Sequence, residues 1–231
     1  MAIKKLVLCS ALISSSLMAA DDLNKRFYLQ GNLGYAIGVA PGGNFEQNTL
    51  GEAGVYGAAI GYRFDEHLRA DFGIENRKGF KNQFSVDNRV GKVSYTDTQS
   101  TKVNSLSSMF SLYYDIATIN KVTPYVMFGA GMARNETTSN KGTFSGYSNG
   151  NPDRAYNISN GTQYNFAYKL GAGATYSVSN TLSCDLHYQY ANLGQIKTGN
   201  IFSSPAGTDH TDNLRGKLQS HEFLLGMSYK F

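Results

Sequence analysis

The chain ends in Glu222-Phe223-Leu224-Leu225-Gly226-Met227-Ser228-Tyr229-Lys230-Phe231, and this stretch decides the fold. Successive side chains of an extended strand point to opposite sides. Phe223, Leu225, Met227, Tyr229 and Phe231 therefore share one face, while Glu222, Gly226, Ser228 and Lys230 share the other. One face is apolar and aromatic, the other polar and charged.

The same period of two recurs upstream. Leu182, Cys184, Leu186, Tyr188 and Tyr190 alternate with Ser183, Asp185, His187 and Gln189, and Tyr164, Phe166, Tyr168 and Leu170 with Asn165, Ala167, Lys169 and Gly171. Phe110, Leu112 and Tyr114 face away from Ser111, Tyr113 and Asp115 within 106–116. Leu68, Ala70, Phe72 and Ile74 alternate with Arg69, Asp71, Gly73 and Glu75. Segments 27–37, 56–64 and 122–133 bring the expected strands to eight, each close to the ~9–11 residues that cross a bilayer when tilted. No sustained 3.6-residue pattern competes after the first twenty residues.

Connections alternate in length. Short ones fall at Asp65-Glu66, Ala117 to Lys121 and Ser179-Asn180, and long polar ones at Val39 to Gly51, Gly79 to Val103, Arg134 to Thr162 and Gly194 to Gly216. Short turns on one side and long loops on the other are the layout of an outer-membrane barrel. A spanning sheet must close, because lipid offers nothing to unpaired backbone groups. An eight-stranded ring is about filled by its own side chains, so an open channel is not expected.

The expected lumen set is Arg63, Arg69, Asp71, Glu75, Lys169, Asp185, His187 and Glu222, both signs mixed and able to pair. Such a set is tolerable in a polar lumen and expensive in the dry core of a soluble sandwich. Tyr28, Tyr62, Tyr114, Tyr125, Tyr176, Tyr190 and Tyr229 lie near strand ends and are expected in aromatic girdles, although Tyr28 and Tyr125 fall on the inward register.

The N-terminus reads as a removable export signal over residues 1–20, leaving a barrel of 21–231. Lys4 and Lys5 precede the apolar run Leu6 to Leu17, and cleavage is expected after Ala19 or Ala20. The run is too short for the ~20 residues of a membrane-spanning helix. Cys9 leaves with it, so Cys184 remains alone and no internal disulfide is expected. The formal charge of +4 falls to about +2 without Lys4 and Lys5, too slight to argue for a nucleic-acid partner.

These features resemble the OmpA-like family of small eight-stranded outer-membrane β-barrels. In that family an aromatic C-terminal residue preceded by alternating apolar positions is read by the barrel-assembly machinery, a role the resemblance implies for Phe223, Leu225, Met227, Tyr229 and Phe231. Within it, the chain's size, scarcity of tryptophan and Asn/Lys/Ser-rich loops are similar to the small-barrel adhesins of rickettsiae. That likeness implies host extracellular partners such as vitronectin, beside outer-membrane lipid. No peptidoglycan-binding domain follows Phe231, unlike the full OmpA pattern, so a cell-wall anchoring role is not expected.

Chemistry finds little support. A lipid-modifying site would need Ser and His on one face, whereas Ser220 and His221 are adjacent and diverge. His187 points among charges with no nearby nucleophile on its face, and His67 follows a short turn. Asp209-His210-Thr211-Asp212 matches no closed metal site. Gly129-Ala130-Gly131 and Gly171-Ala172-Gly173 do not complete a nucleotide loop. No cofactor is expected.

Function is expected in the loops. Lys81, Arg89, Lys92 and Lys102 give one of them a positive excess, and Phe144, Tyr147 and Tyr156 enrich another for protein contact. The first reading is thus an adhesin, with a structural protein or narrow pore second and an outer-membrane lipid-modifying enzyme third.

Overall fold

The computed structural model describes residues 26–40, 50–199, 201–202 and 215–231. The expected export signal, its cleavage site, Cys9 and the Asp209–Asp212 cluster lie outside the described residues. Among the described residues ten strands run in chain order: β1 (Phe27–Gly38), β2 (Glu52–Arg63), β3 (Leu68–Val90), β4 (Val93–Asp115), β5 (Val122–Ser145), β6 (Arg154–Ile158), β7 (Gly161–Ser177), β8 (Leu182–Lys197), β9 (Ile201–Phe202) and β10 (Arg215–Lys230).

Eight long strands form an antiparallel ring. Their order is β4-β3-β2-β1-β10-β8-β7-β5, and pairing of β4 with β5 closes it. First and last strands meet along Tyr28–Lys230 to Gly38–Ser220, so the C-terminal segment completes the wall. The two short strands are additions: β6 pairs with β5 and β9 with β6.

Alternation sets what each face meets. Along β10 the burial pattern switches at every residue from Leu218 to Tyr229. Outward apolar side chains are bare, with Leu33 69% and Leu225 63% exposed, and Phe72, Phe110, Phe128 and Phe166 continue the belt around the ring. A continuous apolar belt of this extent is not a water-facing surface.

The connections at 64–67, 116–121 and 178–181, together with both described ends of the ring's chain, lie at one end. At the turn after β4, Ile119 and Val122 exchange two backbone hydrogen bonds of 2.9 Å around Asn120 (φ 50°) and Lys121 (φ 71°). This is a two-residue hairpin with both central residues left-handed, the geometry that favours Asn-Gly. Asp65 shapes the turn after β2, accepting 2.7 Å bonds from the backbone N–H of His67 and of Leu68. Those two donors hold its carboxyl below the usual range.

The other end departs from the sequence-based expectation. The stretch expected as a loop from Gly79 to Val103 is strand almost throughout: β2 leaves β3 at Lys78, but β3 and β4 stay paired to Val90–Val93. Much of the expected loop from Arg134 to Thr162 is likewise β5 and β6, and β8 runs on to Lys197. About twelve residues at 3.3 Å each carry the β3–β4 tip roughly 40 Å past the last β2 contact. These extensions of β3, β4 and β5, with β6 and β9, are called the crown below. Its β4 arm, Ser94 to Thr101, is polar at nearly every position and lacks the apolar alternation that marks a lipid-facing strand, whereas the β3 arm keeps a partial one in Phe84, Val86 and Val90.

Replacing Lys121 by glycine removes the Cβ that disfavours its left-handed backbone. We expect K121G to stabilise the folded protein by about 1 kcal/mol, read from urea midpoints in vesicles. An unchanged or lower midpoint would show that this turn carries no relievable strain.

Candidate functional site

Two regions concentrate polar side chains, the lumen and the crown. Four charged groups interlock halfway along the lumen. Arg77 grips Glu222 with two nitrogens, Nε to Oε1 at 2.6 Å and Nη2 to Oε2 at 3.0 Å. Its Nη2 also reaches Glu75 Oε2 at 2.5 Å, and Nη1 donates to Ser107 Oγ at 2.8 Å. Lys169 Nζ donates to Glu75 Oε1 at 2.7 Å. Gln189 Nε2 and Ser220 Oγ each donate to Glu222 at 2.6 Å. Two cations thus balance two carboxylates that are essentially out of water. Charge-assisted, partly bidentate bonds of this kind offset the cost of desolvating the ions.

A second network lies toward the short-turn end. Asp115 receives Arg63 Nη1 at 2.6 Å and Arg69 Nε at 3.2 Å. The Arg69 guanidinium sits over the rings of Tyr113 (4.2 Å), Tyr125 (4.6 Å) and Tyr28 (5.9 Å), so aromatic faces share its charge. Tyr125 OH donates to Asp185 Oδ1 at 2.7 Å, Thr175 Oγ1 donates to Oδ2 at 2.9 Å, and His187 Nδ1 is 2.8 Å from Oδ1. Asp71 is met by Tyr28 OH at 3.5 Å.

Arg69, Asp71, Glu75, Lys169, Asp185, His187 and Glu222 are therefore buried together in the lumen, and Arg63 stands partly exposed at its mouth. Tyr28 and Tyr125 correct the girdle expectation, for both are buried lumen residues whose hydroxyls bind carboxylates. The expected lumen set lacks Arg77, which keeps the inward parity of Glu75, and Asp115, which the alternation already puts on the polar face with Ser111 and Tyr113. Sequence reasoning also missed an apolar cluster that starts beside Arg77 with Val55 and Leu224 and extends toward the crown through Leu50, Phe80, Val103, Leu193, Ile196 and Leu218, together with five alanine side chains and Met109.

Catalytic geometry is not assembled from the candidate histidines. Ser220 points to Glu222 inside the ring, while His221 lies outside it, 2.6 Å from Tyr188 OH. His67 stacks on Tyr114 beside the first turn.

In the crown, Lys81, Arg89, Lys92 and Lys102 are all exposed. The aromatic residues behave differently. Phe144 stacks on Tyr156 at 4.7 Å and meets Tyr95 edge-on at 5.6 Å, and Tyr95 stacks on Tyr147 at 5.5 Å. Tyr156 is buried, its OH donating to Asp97 Oδ1 at 2.8 Å while Gln99 Nε2 donates to the other oxygen at 3.0 Å. Burial and the Asp97 carboxylate push the Tyr156 hydroxyl far up from its ordinary range, so it remains a donor. A Cβ at Gly142 would overlap the Tyr156 ring, and glycine there lets the ring lie flat on β5. Tyr156 is thus packing that fixes β6 to β4 and β5, not a displayed contact.

A closed antiparallel ring with an apolar belt outside and paired charges within is a transmembrane β-barrel. This chain belongs to the family of outer membrane protein beta-barrel domains, whose model matches residues 6–231. It is similar to the outer membrane protein PagN of Salmonella typhimurium, 26% identical over 180 residues, 76% of this chain and 72% of the relative. A candidate adhesin of Rickettsia bellii is 27% identical over 239 residues, 98% of this chain and 99% of that protein. Among solved structures, Neisserial surface protein A superposes with a TM-score of 0.55 at 18% identity, covering 89% of this chain and 97% of its own, which speaks for the fold alone. The protein is a bacterial outer-membrane protein.

Removing Arg77 leaves Glu75 and Glu222 buried with too little positive charge. We expect R77M to cost about 3–5 kcal/mol in vesicle-reconstituted unfolding, and E222Q added to R77M to recover part of that loss. Additive losses in this double-mutant cycle would mean that the pair is not coupled.

Proposed function

We propose that the protein is an adhesin in which the barrel is the anchor and the crown, turned outside the cell, contacts a host extracellular protein. One observation carries this reading: a paired β-hairpin projects far beyond the ring and holds exposed Arg89 and Lys92 at its tip. Rigid display lowers the ordering cost of binding. The Rickettsia bellii relative, described as a candidate adhesin and matched along nearly its whole length, supports the same direction. No catalytic step is assigned. The inner charge networks fill the lumen where a solute path would run, which speaks against a pore.

We also propose that residues 1–20 direct export and that outward-facing Phe223, Leu225, Met227 and Tyr229, with terminal Phe231, are read during barrel assembly.

The test replaces Asp87–Thr96 by Asn-Gly, joining Val86 to its partner Asp97 through a tight turn. Immobilised vitronectin and other host matrix proteins serve as probes. The trimmed barrel should fold, shown by heat-dependent gel migration, yet lose binding by at least tenfold. Undiminished binding by the trimmed protein refutes the assignment. In planar bilayers the intact protein should give no steady conductance, and reproducible single-channel steps would favour a pore.

A further inference from the structure

Where the crown meets the lipid-facing belt, the outer surface of β3, β4 and β5 changes from apolar to basic. On β3 the outward series climbs through Phe72, Ile74 and Asn76 to Lys78. On β4 it passes Phe110, Leu106 and Asn104 to Lys102, and on β5 Phe128 and Met132 lead to Arg134. Residues three apart on a regular strand face opposite sides. Gly79, with φ 115°, lies where the β3–β4 register shifts between Lys78 and Phe80. The irregularity returns Lys81 to the same outer face as Lys78, while Phe80 turns inward and is buried.

Lys81 then stands directly opposite Lys102. Like charges so opposed, with Cβ atoms about 5 Å apart, destabilise a sheet. Among the described residues, Lys78, Lys81 and Lys102 form no ion pair with any carboxylate, and the β5 neighbour of Lys102 is Thr138. Arg134, lower down, reaches Glu136 at 3.5 Å with both side chains exposed.

We propose that Lys78, Lys81 and Lys102, with Arg134 at their lower margin, bind the phosphate groups of a glycolipid in the outer leaflet. A multivalent anion relieves a repulsion that no ion pair among the described residues relieves; the nearest carboxylates on this face are Glu136, diagonal to Lys102 and paired with Arg134, and Glu52 at the end of β2. The site's height selects the source of that anion. Only Asn76 and Asn104 separate these cations from the apolar belt, so the lysine stems lie along the membrane boundary with their heads at headgroup level. Arg89 stands about 26 Å further out by strand rise, clear of the lipid. Lys81 and Lys102 therefore belong to the membrane contact, and the hairpin tip to the proposed host contact. The site rests on the outer-membrane location alone, and the trimmed crown described above retains it.

The full chain is folded into zwitterionic phospholipid vesicles and titrated with fluorescent bisphosphorylated lipid A. K81Q/K102Q should bind about thirty-fold more weakly, at roughly a kcal/mol per surface lysine, while K81R/K102R binds as the wild type does. Lipid A stripped of its phosphates should bind the wild type as weakly as the intact lipid binds K81Q/K102Q, and inorganic phosphate at equal concentration should not displace the intact lipid. Equal affinity in K81Q/K102Q, undiminished binding of the stripped lipid, or displacement by inorganic phosphate would each overturn the proposal. If K81Q/K102Q fails to fold, the stripped lipid with wild-type protein still decides.

Discussion

Backbone hydrogen bonding in a medium without water is the constraint on which the rest of the molecule depends. A strand facing lipid cannot leave N–H or C=O groups unpaired, so the first strand must find the last. The β1–β10 register meets this condition, and its consequences spread in both directions around the wall. Closure makes one side of every strand face lipid and the other a confined interior. The apolar belt and the polar lumen are thus two readings of one alternation.

The interior shows how a closed ring fills itself. Charges so buried cost several kcal/mol each unless paired. Here Glu75, Arg77, Lys169 and Glu222 satisfy one another across the ring, from strands distant in sequence. Such cross-links tie β3 to β7 and β10 through side chains, in addition to the backbone ladders. Nearer the crown the lumen is apolar, and Leu193, Ile196, Leu218 and Phe80 pack as a soluble core would. Polar and apolar layers succeed one another along the axis, an arrangement that composition alone conceals.

Much of this was legible in sequence where one face meets lipid. Phe223 to Phe231 or Leu182 to Tyr190 can alternate so cleanly only if the two faces meet different media. Arg69, Asp71 and Glu75 showed the inward parity for the same reason. Arg77 continues the same parity two residues past Glu75, before the register shift between Lys78 and Phe80, and escapes notice because Asn76 and Lys78 beside it no longer supply an apolar face for contrast. Leu224, Leu218 and Leu193 hid the apolar layer, since leucine on the polar face blurs the alternation instead of announcing a second core. Tyr125 had the right parity but was assigned by residue type, and parity should have prevailed. The crown reads as loop because Ser, Thr and Asp fill the β4 arm opposite Phe84 and Val86, so the partial alternation of β3 meets no partner of the same period.

Because the crown continues the wall without a hinge, its reach is counted in residue pairs. Lengthening the β3–β4 hairpin by one residue on each arm would raise the tip by about 3.3 Å and turn its side chains to the opposite face. Adding two on each arm would raise it twice as far and restore the original face. Lineages that adjust this projection against a thicker surface coat should therefore differ by even increments per arm, and a single-step change would present a new surface at nearly the old height.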